Sequence, residues 1–265
     1  MSSLLLLLSW GCVHQAAGTA VAPPRLWSLD VRIESSLTRE DGGALDPALA
    51  PLASVSEQRR FDVRGEHAGW HGDGSQTTRL RFLSDSDPAS GRVVDLRHFD
   101  SGEILALDWL EQAAGPGPGL DVLSVVFPVL SPKVPLVRRG RHGQMTTAFP
   151  VPVGPDRKVT ERVRTVWKRE GNQRVAGRST LAVSYEGQWE THGEDAGHRP
   201  PVGVAGRGTV SGRVWLDVRD MSVVAHDFQW KRRVVLAYPG AQGDGLRLVQ
   251  MQSMDGHVEQ SRVRP

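Results

Sequence analysis

Apolar and polar residues alternate along most of this chain with a period of two, the pattern of half-buried β-strands. Trp27, Leu29, Val31, Ile33 and Leu37 share one parity, and Ser28, Asp30, Arg32 and Glu34 share the other. The alternation returns at Val159, Val163 and Trp167, set against Arg162, Arg164 and Lys168. It continues at Leu181, Val183, Tyr185 and Trp189, at Val210, Val214, Leu216 and Val218, and at Val224, His226, Phe228, Trp230 and Val234. More polar strand pairs are expected at Ser54 to Arg64 with Gln76 to Leu83, joined by 65–75, and at Arg92 to Phe99 with Glu103 to Leu110, turning at 100–102. Turns are expected at Glu170-Gly171-Asn172, at Arg219 to Ser222, and at Asp255-Gly256, the strongest hairpin signal, between Leu246 to Met254 and His257 to Val263. Gly193 to Gly208 reads as a loop rich in Gly, Pro and His, and 41–51 as a loop or weak helical insertion.

One stretch departs from this period. Leu120, Leu123, Phe127 and Leu130 fall on one side of a 3.6-residue repeat, after the breaker Gly115-Pro-Gly-Pro-Gly119 and with Pro128 limiting the run. It predicts a short helix near 120–130, with a buried strand as the rival because Val122, Val125 and Val126 are β-branched. The fold class expected is therefore mainly β (α+β): a curved antiparallel sheet or half-barrel with one short central helix. It forms a single domain over 25–265.

Composition narrows the class. A chain of 265 residues buries about 70–75% of its unfolded surface, so it needs neither metal nor disulfide staples. The net charge is +2, and its Arg residues are spread among nearly as many acids. A nucleic-acid interface would concentrate basic residues on one face or arm, so no nucleic-acid partner is expected. No stretch has the roughly 20 apolar residues of a membrane-spanning helix.

The N-terminus points to a location. Leu4 to Leu8, followed by Ser9-Trp10-Gly11-Cys12, resembles a bacterial lipoprotein leader ending in its lipobox, with Gly11 and Cys12 matching the pattern. Ser9 stands where Leu is usual, Trp10 is unusual, and no Lys or Arg precedes the Leu run. The resemblance implies that 1–11 is a signal peptide removed before Cys12, that Cys12 is diacylated, and that 12–24 is the lipidated Cys with its tether. Two acyl chains hold a protein firmly to a bilayer where one does not. Cys12 is the only cysteine, so it has no partner for an internal disulfide. About 12 tether residues span at most roughly 40 Å. Val13 in place of Asp carries no retention signal in that family, which implies the outer membrane, facing the periplasm. The order of strands, short helix and strands is similar to that of uncharacterised β-rich exported bacterial lipoproteins. By analogy of fold alone it is also similar to lipoprotein-carrier half-barrels whose concave face is plugged by helices; no site residue transfers from either.

Catalytic signals are weak. No Gly-x-Ser-x-Gly elbow occurs, and Cys12 is assigned to the leader. His67 and His71, four apart, with Asp73 nearby, form a possible metal set, though Gly69, Gly72 and Gly74 oppose the helix that would bring both His to one face. Trp27, Trp109, Trp167, Trp189 and Trp230 fall on apolar strand parities, where they either fill the core or line a pocket for an apolar ligand. The function expected is non-enzymatic and needs no cofactor. It is a structural or interaction component of an outer-membrane assembly, reaching the membrane through its lipid anchor and contacting an envelope protein. The alternatives are a carrier or binder of lipid or another apolar ligand in the concave face, and a loop-metal hydrolase.

Overall fold

A computed structural model of the chain describes residues 24–83, 91, 93–99, 104–111, 140–154, 157–195, 201–239 and 245–261. The leader, Cys12 and the expected helix near 120–130 lie outside the described residues. What is described is almost wholly strand, in one antiparallel sheet. Its strands are β1 (Arg25–Arg39), β2 (Ser54–Trp70), β3 (Gln76–Leu83), β4 (Val93–His98), β5 (Ile104–Glu111), β6 (His142–Gly154), β7 (Arg157–Val175), β8 (Arg178–Asp195), β9 (Val202–Asp217), β10 (Val223–Tyr238) and β11 (Leu246–Ser261). A short 3-10 helix, Pro47–Leu52, capped by the Asp46 carboxylate on Ala48 N–H, links β1 to β2. Among the described residues no helix is long and apolar enough to cross a membrane.

The sheet order is β5-β4-β3-β2-β1-β11-β10-β9-β8-β7-β6, two meanders joined where the first strand pairs with the last. β5 and β6 are the two edges of that order, yet their Cα atoms approach within 8 Å, with no ladder between them. Long strands carry a right-handed twist that accumulates across a sheet, and here it curls the sheet until its edges come near without closing it into a barrel. Pro150 and Pro152 sit in β6, and an edge strand is where a sheet tolerates the missing N–H.

The inward face has the parity expected from the sequence. Trp27, Leu29, Val31 and Ile33 of β1 meet Phe61 and Val63 of β2, Leu80 and Phe82 of β3, Phe228 and Trp230 of β10, and Met254 and Val258 of β11 in one buried cluster. A second cluster joins Met145 and Trp167 to Leu181, Val183, Val214 and Leu216. Glycine makes room for the rings. A Cβ on Gly65 would stand 2.6 Å from Trp27, and one on Gly143 2.7 Å from Trp167.

Three expected breaks are instead continuous strand. Asp255-Gly256 is no hairpin turn: β11 runs straight through it, with Gly256 opposite Phe228. A Cβ there would collide with the Phe228 ring, so this glycine serves close packing and not a turn. Gly203 to Gly208 belongs to β9, where Gly206 and Gly208 lie beside Trp189 on β8. Glu170 to Asn172 is a register shift inside β7 with Gly171 at φ 123°, and the chain turns later, at Ala176 (φ 49°) and Gly177 (φ 76°). β6 was not foreseen. The turn at Arg219 to Ser222 forms as expected, with Met221 at φ 60° and Asp220 accepting from Ser222 N–H.

Candidate functional site

The tryptophans lie largely as their parity implies. Trp27, Trp167, Trp189 and Trp230 are 6%, 4%, 1% and 3% exposed, values that leave no ring free to meet a ligand from solvent. The Trp27 indole donates to the Val223 carbonyl at 3.3 Å, satisfying its one polar atom. Trp109 is in register with Val94 on β4; its side chain is outside the described residues.

Where the apolar parity is interrupted, the sheet carries a buried polar belt. Gln252, Arg232, Gly208 and Trp189 are successive register partners on β11, β10, β9 and β8. Gly208 has no side chain to intervene, so the Arg232 guanidinium reaches over it to lie 5.5 Å from the Trp189 ring centroid. Arg232 Nε donates to Gln252 Oε1, Trp189 Nε1 donates to Glu161 Oε2 at 3.2 Å, and Gln250 Nε2 donates to Ser35 Oγ at 3.1 Å. Desolvation pushes the Glu161 carboxyl up, against the opposing pull of Arg232 and the indole N–H. A perturbed acid beside an arginine is a pattern found at active sites. Here Glu161 is 4% and Arg232 5% exposed, so both charges are held within the sheet and satisfied by their belt partners. A second buried contact, Tyr185 Oη to His226 Nε2 at 2.8 Å, joins β8 to β10, and burial raises the phenol above its ordinary range.

Apart from Trp189, these belt residues were not foreseen, although a signal was present. Glu161 falls between Val159 and Val163, and Arg232 between Trp230 and Val234, each on the apolar parity of its strand. A charge on that parity marks a buried charge in need of partners.

The metal set does not assemble. His67 packs at a tilt against the exposed Trp70 ring, 5.1 Å between centroids, whereas His71 Nε2 is engaged by Thr77 Oγ1 at 2.7 Å. Asp73 is taken up by its own turn, accepting from Ser75 N–H and Oγ at 3.0 and 2.6 Å and from Arg97 at 2.8 Å. Ser75 holds the carboxyl down at about 2, helped by Arg97. Among the described residues no group of three His, Cys, Asp or Glu side chains is placed to hold a metal ion. His71 and Asp73 are thus engaged in a hydrogen-bonded turn.

The accessible concavities described lie on the outward, wet face. The largest, about 900 Å³, crosses β2, β1, β11, β10, β9 and β8. Its lining is mixed: Ser36, Ser54, Ser56 and Thr209 supply hydroxyls, Arg207 and Lys231 positive charge, Glu34 and Glu190 negative charge, and Val55 and Met251 apolar surface. A neighbouring groove of about 570 Å³ over β6 to β9 shares Gln188 and Thr209 with it. Such open surfaces differ from the concave pockets that bury most of a small ligand. Comparison with protein-family models and with characterised proteins finds no match to the sequence.

Proposed function

We propose that this is a non-enzymatic cell-envelope lipoprotein, anchored through Cys12 in the outer membrane and facing the periplasm. It acts there as a structural or interaction component of a larger assembly. The observation that supports an interaction role over carriage is the filled inward face. The side chains of Trp27, Trp167, Trp189 and Trp230 are consumed as core, and for the first three the ring-against-glycine packing leaves the ring lying against the sheet. What remains for recognition is the polar outer face and the two edges, β5 and β6. An exposed edge recognises an extended segment through main-chain hydrogen bonds. Part of β6 is closed to this mode by Pro150 and Pro152.

Two experiments test the reading. In the native host, the full chain fractionates with outer membranes and Cys12→Ser shifts it to the soluble periplasm; a Cys12→Ser protein still bound to membranes contradicts the anchor. Cross-linking in intact cells followed by native electrophoresis gives a discrete larger species, whereas migration as a free monomer contradicts the assembly role.

A second reading has its own support. The approach of β5 to β6 without a ladder is the seam of a half-barrel. In that form, with the short helix expected near 120–130, the protein binds a lipid or another apolar molecule within the curl.

A further inference from the structure

On the wet face of β7 to β10, two adjacent cross-strand rows gather basic side chains that lie far apart in the sequence. One row runs Arg162, Glu190, Arg207, Arg233, and the next Arg164, Gln188, Thr209, Lys231. Arg207 stands directly opposite Arg233, a like-charge pairing that costs stability on neighbouring strands. Arg233 is partly neutralised by Glu40 at 3.2 Å, but Glu40 is shared with Arg247 at 3.0 Å. Among the described residues Arg162, Arg164, Arg207 and Lys231 form no ion pair, even though Glu190 lies in register between Arg162 and Arg207. All four are exposed. The two outer grooves meet along Gln188 and Thr209, so open space adjoins the cations: Arg164 lines one groove beside Glu186, and Arg207, Lys231 and Arg233 line the other beside Glu34 and Glu190.

We infer that this face docks on anionic phospholipid headgroups. Strands stand about 4.8 Å apart, so the charges are spread over roughly 15 Å instead of converging on one point. That layout suits a surface carrying many separate phosphates and not a single small anion. The hydroxyl of Thr209, the amide of Gln188 and the guanidinium groups provide donors for phosphate oxygens. The inference rests on the envelope reading only for access to a bilayer. Its test dispenses with the lipid anchor, so either can fail alone.

The experiment is co-sedimentation of the full chain, unlipidated as Cys12→Ser, with vesicles of equal parts phosphatidylglycerol and phosphatidylcholine, and with vesicles of phosphatidylcholine alone. The Leu-rich leader is common to all samples, so the readout is the difference between the two vesicle types. The protein is expected to partition preferentially to the anionic vesicles, with the preference lost at high salt. Arg207→Gln with Lys231→Gln is expected to weaken that partitioning by about 25-fold, about fivefold for each charge removed near such a surface. Arg162→Gln with Arg164→Gln, on a different strand, is expected to act alike. Arg60→Gln removes a charge from the wet face of β2, where Arg60 pairs with Asp30 at 2.7 Å, and is expected to change little. Equal binding to both vesicle types overturns the inference, as do double variants no weaker than Arg60→Gln. So does tight binding of soluble polyphosphate by a protein that ignores both kinds of vesicle, which would assign the face to a soluble polyanion.

Discussion

Glu161 shows how one residue records the cost of a filled interior. Desolvation by the surrounding sheet raises its folded pKa above the unfolded value of 4.5, with Arg232 and the Trp189 indole opposing the shift. The folded state therefore holds this proton more tightly than the unfolded chain. The associated stability is fully present below pH 4.5 and is lost as pH rises through the folded value. Replacing the carboxyl with a neutral amide removes that dependence. Glu161→Gln is expected to gain thermal stability relative to the parent as pH is raised from below 4.5 to 7, a comparison that melting curves across pH provide directly; a constant difference contradicts the assignment. Asp73 has the opposite sign. Held down at about 2 by Ser75 and Arg97, it contributes stability above the unfolded value of 3.8 that is lost as pH falls towards 2, and an NMR titration of its carboxyl should show that low midpoint. Of these groups, Glu161 and Arg232 were legible only as charges on an apolar parity. His67, His71 and Asp73 were visible as a cluster in sequence, but the turn's own hydrogen bonds decided their use.

At the scale of elements, strand parity was readable because each inward row is continuous: Trp27, Leu29, Val31 and Ile33 behave as their alternation implies. Glycine misled. Gly206, Gly208 and Gly256 read as loop or turn, since the residue that breaks a strand is also the residue that lets a ring or a backbone come close. The partner that distinguishes the two uses, Trp189 or Phe228, lies on another strand and is invisible to local pattern. Ala176, at φ 49° in the β7 to β8 turn, gave no signal at all, because the turn chemistry expected there is Asn or Gly. A Cβ on Gly208 would press on the backbone of Lys231 and Arg232, whereas one on Gly69 meets nothing within 4 Å. Gly208→Ala is expected to lower unfolding free energy by about 3 kcal/mol, at the top of the usual range for overpacking. Gly69→Ala should stay within about 0.5 kcal/mol, as exposed substitutions do. Denaturant unfolding of both measures this, and equal effects contradict it.

The described residues form a single sheet that treats its two faces differently. Inward, aromatic rings over glycines and a buried belt of Arg232, Gln252 and Glu161 complete a core. Outward, hydroxyls and unneutralised arginines line open grooves. The mainly-β class was legible from a period-two pattern repeated along the chain, but the closing of the order by β1 against β11 was not, since no local signal joins the first strand to the last. The approach of β5 to β6 depends on twist summed over eleven strands, which no single strand reveals. The central claim is that the tryptophan-bearing face is core and that function resides on the outer face and edges. The most direct test is a native mass spectrum of the full chain as Cys12→Ser, purified without detergent. The account predicts the bare polypeptide near 28.9 kDa, alone or as a multiple of it. An added mass of several hundred daltons, lost on denaturation, would contradict it by showing that the inward face encloses an apolar ligand.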